Sequence, residues 1–355
     1  MTQQMDRAAA EAFAGKMVGI INGGFLALIT SVGHRTGLFD AMAKLPASTS
    51  GEIASAAGLN ERYVREWLAT MTVGRIVNYD ASAKKYHLPA EHAASLTTAA
   101  GPGNMASMTQ FIAMGGNVED ELVDSFRKGG GVPYSSYEKF HPMMAEMSGE
   151  IFDATLLNST LPLVRGLVDQ LKAGIEVADI GCGSGHAINL MAKEFPTSRF
   201  TGIDFSEEGI AAGRAEADKL GNSNASFEVE DASLTDRPDA FDFITTFDSI
   251  HDQAHPRKVL ANVAKALRPD GTYLMVDIKA DSEVQNNMNH PLAPYLYAIS
   301  TMHCMTVSLA LDGEGLGTMW GEQKALELLT EAGFKEVAVE SVEGDIFNSF
   351  YICRK

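Results

Sequence analysis

The chain has 355 residues, 45% hydrophobic and 21% charged, with a formal net charge of −18. That length exceeds one ordinary core and suggests two domains of soluble globular composition. So acidic a chain repels phosphate backbones and anionic lipid, which argues against nucleic acid and membranes as partners.

The three cysteines, Cys182, Cys304 and Cys353, lie far apart and form neither a disulfide framework nor a CxxC metal pattern, as expected in a reducing cytoplasm. Near the start, the uncharged stretch Val18–Val32 (VGIINGGFLALITSV) has 15 residues, fewer than the roughly 20 a membrane-crossing helix needs. Asp6 and Glu11 precede it, unlike the basic start of a signal peptide. The expectation is a buried helix, with a subunit interface as one place for it.

Next comes a compact pattern from Ser48 to Pro89. Thr49 or Ser50 caps a helix that starts near Glu52, Gly58-Leu59-Asn60 makes a turn, and Val64, Trp67, Leu68 and Met71 stripe a second helix. IVNYDASAKKYHL reads as a hairpin with its tip at Asp80–Lys85, so the whole resembles a winged helix-turn-helix. A DNA reader should concentrate basic charge on one face. Thr30–Leu96 instead carries seven basic and six acidic residues, and Arg62 and Arg65 alternate with Glu61 and Glu66. A transcriptional regulator is therefore the lesser reading.

Arg127–Tyr137 is a Gly/Pro/Ser turn cluster, and Val132–Met144 carries Tyr134, Tyr137, Phe140 and His141. Beyond it, strands are expected at Glu176–Ile180, Arg199–Asp204, Ser226–Glu230, Phe241–Thr246 and Thr272–Ile278. Helices are expected at His186–Glu194, Glu207–Leu220 and Arg257–Leu267. This alternation indicates βαβ units and a parallel sheet. A helix at Glu322–Ala332, with Gly333 beyond it, leads to a final hairpin of Val337–Val342 and Phe347–Cys353.

The first strand runs into VADIGCGSGHAINL, where Gly181, Gly183 and Gly185 permit a sharp turn and close approach of a ligand. The pattern D-x-G-x-G-x-G departs from the dinucleotide GxGxxG, and there is no P-loop lysine. Asp204 ends the second strand, 19 residues after Gly185, where a carboxylate can accept from both ribose hydroxyls. EVEDAS ends the third strand, with Asp231 placed for an exocyclic amine and Ala232 for backbone contact with a ring nitrogen.

Together Asp179-x-Gly181-x-Gly183-x-Gly185, Asp204, Glu230-Asp231-Ala232 and LRPDGTYLMVD (Leu267–Asp277) resemble the cofactor motifs of class I S-adenosylmethionine-dependent methyltransferases, over about Lys172–Lys355. The resemblance implies a Rossmann-like α/β domain, a mostly parallel sheet with helices on both faces. In it the glycine loop lies against the cofactor's methionine part, Asp204 holds the ribose, Asp231 meets the adenine amine and Asp179 supports the loop or the amino group. Phe205 and Phe247 join the cofactor set. Bacterial and plant small-molecule members carry a mainly helical winged-helix module for dimerisation and pocket closure, which implies a homodimer. The expected division is residues 1–100 for that module, 101–170 for a helical linker closing over the active site, and 171–355 for the methyltransferase domain.

After the fourth strand, TTFDSIHDQAHP supplies the catalytic candidates. His251 can act as general base, oriented by Asp252 or Asp248. Asp277 could join Asp248 and Asp252 in a carboxylate cluster, but no local spacing supports a metal site. The segment His290–Gly321, rich in Met, Tyr and His, offers Tyr295, Met302, His303 and Trp320 as a substrate wall, with Tyr137 and His141 contributing from upstream. The expected reaction is methyl transfer to a small organic molecule, oxygen favoured, with nitrogen and carbon open. A regulator, or a cofactor sensor without catalysis, is the alternative.

Overall fold

The computed structural model describes residues 5–355. It divides into two compact units between Gly116 and Asn117.

In the first unit, helix α1 (Arg7–Arg35) starts at Asp6, whose carboxylate accepts from the N–H groups of Ala8 and Ala9. His34 and Arg35 in its last turn complement the helix dipole. Helices α2 (Leu38–Ala43), α3 (Ser50–Ala57) and α4 (Glu61–Val73) follow. The cap of α3 is a reciprocal box: Thr49 and Glu52 each bond the other's backbone N–H. Asn60 caps α4, which buries Val64, Trp67, Leu68 and Met71 as their spacing requires. The wing is β1 (Asn78–Asp80) paired antiparallel with β2 (Lys85–His87). The Trp67 indole donates to the Ile29 carbonyl at 2.9 Å, tying α4 to the end of α1. Gly33 permits that approach, since a Cβ there would lie 2.5 Å from the indole ring.

One expectation for this unit needs correcting. Val18–Val32 is helical, but it lies inside a 29-residue helix, and its first two turns are not buried within the chain. Phe13, Val18, Ile20, Ile21 and Phe25 are exposed, Phe25 to 67%. The helix is long and apolar enough to cross a membrane by length and composition, with a mean hydropathy of 1.6 over its best window.

The second unit is a seven-stranded sheet of β3 (Glu176–Ile180), β4 (Arg199–Asp204), β5 (Ala225–Val229), β6 (Phe241–Phe247), β7 (Leu267–Ile278), β8 (Glu336–Glu340) and β9 (Asn348–Arg354). Its order is β5-β4-β3-β6-β7-β9-β8. β3 to β7 pair in parallel, while β9 runs antiparallel to both β7 and β8, the expected hairpin. β3, β4 and the helices His186–Glu194 and Glu207–Leu220 keep their expected limits. β7 begins earlier than Thr272: Phe241 pairs with Leu267 and Phe243 with Thr272, so Arg268–Gly271 bulges from the ladder.

Each face of the sheet buries its own core. Ala178, Ile180, Ile244 and Met275 pack with the helices Pro256–Ala266 and Gly321–Glu331. Val177, Phe200, Phe243 and Leu274 pack with Leu167–Ala173, His186–Glu194 and Glu207–Leu220. Alternate residues of one strand thus serve opposite layers. The order reverses at β3, flanked by β4 and β6, so a crevice opens at the carboxyl ends of these three strands.

Candidate active site

Parallel register gathers the strand ends. Ile180 pairs with Ile203 and Asp179 with Thr245, so β3, β4 and β6 deliver Gly181, Asp204 and Phe247 to one edge. They line a cavity with about 1100 Å³ of empty space, its open mouth included. The helix Phe140–Thr155 forms another wall through Phe140, Met144, Ser148 and Phe152. His186 clamps that helix: Nδ1 lies 2.7 Å from Glu216 and Nε2 3.0 Å from Asp153.

All three loop glycines have positive φ, at 73, 55 and 69 degrees for Gly181, Gly183 and Gly185. Gly185 is also required by packing, since a Cβ would sit 2.2 Å from the Phe227 ring. Gly183 meets nothing within 4 Å, so its bare backbone faces open space. The Gly183 N–H donates to Asp204 Oδ2 at 2.8 Å, and the Ser206 N–H donates to Oδ1 at 2.8 Å. Burial raises the Asp204 carboxyl, and these N–H groups partly offset it. Cys182 is a packing residue whose thiol burial pushes well up, away from reactivity.

Asp179, Phe205, Asp231, Ala232 and Phe247 all line the same cavity. Asp179 is buried and accepts from the Thr245 hydroxyl at 2.8 Å. Burial pushes its carboxyl up to about 7. Asp231 is exposed and accepts from the Ser233 N–H at 2.8 Å. Phe247 stands edge-on to Phe152 with ring centroids 4.9 Å apart. Asp179, Asp204, Glu230, Asp231, Asp248 and Asp252 face the space, with His141 and His186 but no Lys or Arg in its wall. That set of acceptors suits hydroxyls, amines and cationic groups and would repel a diphosphate.

Asp252 lines the cavity, whereas His251, expected as the catalytic base, is buried and not part of the cavity wall. The carboxylate that holds His251 is Asp277, with Oδ1 at 2.8 Å from Nδ1, not Asp252 or Asp248 as expected. Asp252 instead accepts from the Tyr134 hydroxyl at 2.8 Å, and Asp248 from the Asn348 amide at 2.7 Å. The cause is tertiary: β7 lies beside β6, and its last acidic residue comes level with the loop after β6. Burial opposes a charge on His251, but the neighbouring Asp277 and then Cys304 raise it well above the usual imidazole range.

Of the expected substrate residues, His141 lines the cavity, while Tyr137, Tyr295, Met302, His303 and Trp320 do not. Trp320 is a core residue whose indole donates to Asp277 Oδ1 at 3.0 Å. Tyr137 is buried with its hydroxyl donating to the Met302 carbonyl at 2.5 Å. Tyr295 is half-buried. His303 stacks on Phe140 at 3.9 Å and meets the edges of Tyr134 and Tyr137. Burial, with His251 and His141 adding, pushes it down to about 3, and its Nε2 has no hydrogen-bond partner among the described residues. The site gains Tyr134, Met144, Ser249 and Gln253, none expected as site residues. The aromatic run around Tyr134 was the one signal for any of them.

Comparison with known proteins agrees with this architecture. Residues 24–98 match the family described as the Rv2258c-like winged HTH domain, and residues 171–333 match a methyltransferase domain family. An uncharacterized methyltransferase, YcgJ, of Bacillus subtilis is 32% identical over 124 residues, covering 34% of this chain and 48% of its own. The 27-O-demethylrifamycin SV methyltransferase of Amycolatopsis mediterranei is 30% identical over 153 residues, 40% of this chain and 56% of its own. The chain thus spans about half the length of these curated relatives. Human N-acetylserotonin methyltransferase, solved with S-adenosylmethionine, shares the fold from end to end: the TM-score is 0.69 at 17% identity, covering 100% of this chain and 99% of the other. With a winged-helix family match in the first unit and a methyltransferase family match across the glycine loop and Asp204, the chain carries an N-terminal winged-helix domain followed by a methyltransferase domain.

Proposed function

We propose that the protein transfers a methyl group from S-adenosylmethionine to a nucleophilic atom of a small organic molecule, and that it works as a homodimer. The observation that carries this reading is one cavity in which the open Gly183 backbone, the Asp204 carboxylate and Asp231 stand together, with His251, buried and paired to Asp277, directly before Asp252 in the chain.

The residues fit the cofactor. Asp204, with one backbone N–H on each oxygen, retains acceptor capacity for two ribose hydroxyls. Asp231 and the Ala232 backbone would hold the adenine edge. The loop Gly181–Gly185 and Asp179 would hold the amino-acid end. Phe205 and Phe247 supply apolar walls. When bound, S-adenosylmethionine supplies a methyl group already activated on a positively charged sulfur.

The chain's own part is alignment and proton removal. His251 would take the acceptor's proton, and Asp277 would fix its Nδ1–H tautomer and stabilise the imidazolium formed. Oxygen is the favoured acceptor atom, supported by the name of the Amycolatopsis relative. Nitrogen and carbon fit the same donor chemistry. The segment between Asn117 and the methyltransferase domain would close over the cofactor through its helix Phe140–Thr155.

The exposed apolar residues of α1 support a second copy as partner. Both arginines of α4 are engaged, Arg62 by Glu66 at 2.5 Å and Arg65 by Glu61 at 2.8 Å, which weighs against a DNA-reading role. Three free cysteines suit a reducing cytoplasm. The deciding experiment is calorimetric titration with S-adenosylmethionine and, separately, NAD. Saturable binding of the first alone supports the proposal and justifies an acceptor screen; binding of neither removes it.

A further inference from the structure

Asp248 and Asp179 are weakly compensated carboxylates of the cavity, Asp179 meeting the Thr245 hydroxyl alone. Glu230 is met by Arg237, Asp252 by the Tyr134 hydroxyl, and Asp204 by two backbone N–H groups. Asp248 has one neutral side-chain donor, Asn348, and a left-handed backbone at φ 48 degrees, uncommon outside glycine. Strain of that kind concentrates where a side chain must be presented to a ligand. The residue lies directly after β6, beside the crevice and in the cavity wall.

Resting on the cofactor reading above, we propose that Asp248 is the residue by which this cavity distinguishes the positively charged sulfonium cofactor from the neutral thioether left after methyl transfer. Burial is the main influence on its carboxyl. Asp277 on β7 and Asp345 in the β8–β9 turn add negative charge, and His251 on its own segment opposes them; the group is pushed up to about 7. Asp179 and Asp252 also line the cavity and add no compensation. A cation placed beside such a group favours its ionised form. Binding of S-adenosylmethionine is then coupled to loss of the Asp248 proton, and binding of S-adenosylhomocysteine is coupled less. Spent cofactor is thereby readily displaced by fresh.

The two ligands differ in the methyl group and its charge, so their comparison isolates the sulfonium. The experiment is calorimetric titration of the full chain with each ligand, in buffers of differing ionisation enthalpy, for the wild type and Asp248→Asn. Asparagine tolerates the left-handed backbone, and the variant at each pH corrects for titration of the ligands' own amino groups. Between about pH 6 and about pH 8, the wild-type preference for S-adenosylmethionine should grow about 10-fold relative to the variant, as a group titrating near 7 requires. More protons should be released with S-adenosylmethionine than with S-adenosylhomocysteine. The variant should bind S-adenosylhomocysteine within about 2-fold of wild type, an order-of-magnitude expectation for an uncharged ligand centre that also reports intact folding. Equal proton release for both ligands, or an unchanged preference in the variant, overturns the proposal. Should the variant fail to fold, a wild-type preference that stays flat over this range overturns it. Binding of neither ligand to the wild type removes the cofactor reading and this inference with it.

Discussion

His251 and Asp277 are joined by a 2.8 Å contact between Nδ1 and Oδ1, and the same oxygen also accepts from the Trp320 indole and the Ile278 N–H. Three donors on one oxygen fix the carboxylate and, through it, the imidazole. For Asp277→Asn we expect kcat to fall about 100- to 1000-fold with cofactor Kd unchanged. The pH profile supplies the second readout. The Asp277 charge raises His251 well above the usual imidazole range, so activity, which needs the neutral ring, should increase as pH rises beyond that range. Removing that charge should move the acidic limb to lower pH. A profile unmoved by the substitution would leave Asp277 a structural residue.

The loop glycines should separate stability from binding. Gly185→Ala places a Cβ 2.2 Å from Phe227 at positive φ, and should cost about 2–4 kcal/mol in urea unfolding. Gly183→Ala has open space and should cost about 1 kcal/mol from its backbone alone. Its Cβ would instead enter the space proposed for the cofactor, so S-adenosylmethionine affinity should fall while the fold persists. Equal unfolding losses for both variants would contradict this division.

Asp204→Asn should weaken S-adenosylmethionine binding about 10- to 100-fold, the worth of charge-assisted hydrogen bonds to two hydroxyls. Unchanged affinity in calorimetry would remove the ribose assignment.

Asp179 predicts a pH-dependent stability. Burial, with Asp204 adding, lifts its folded value to about 7 from 3.8. The neutral form is favoured in the fold, so its contribution is full below about pH 4 and is lost as pH rises through about 7. Asp179→Asn should therefore raise Tm relative to wild type at about pH 8 and have little effect at about pH 4. An identical difference at both ends would show that the group is not buried as described.

The exposed apolar positions of α1 should sustain the dimer. Sedimentation of wild type should give twice the 38.1 kDa chain mass, and Ile21→Asp with Phe25→Asp should give the monomer. Wild type that sediments with liposomes would instead assign this helix to a membrane surface.

Much of the methyltransferase architecture is local and therefore legible in the chain. β3, β4 and the two helices after them have the expected limits because apolar period, glycine turns and caps lie within a few residues of one another. The winged-helix signals, Thr49 with Glu52 and the stripe Val64, Trp67, Leu68 and Met71, are local in the same way. The βαβ alternation then predicts a parallel sheet, and the positions of Asp204 and Asp231 follow from strand ends.

Other features depended on residues far apart in sequence. The partner of His251 lies 26 positions away on β7, and only adjacency of β6 and β7 brings it there. Trp320 had the composition of a pocket wall, yet its indole is held by that same carboxylate in the core. The apolar run Val18–Val32 determined a helix, but whether its side chains are covered depends on neighbours that sequence periodicity does not contain. Local pattern determined the elements and the glycine loop that lines the cavity; which buried carboxylate meets which donor was decided by packing across the sheet, where burial fixes both partner and charge.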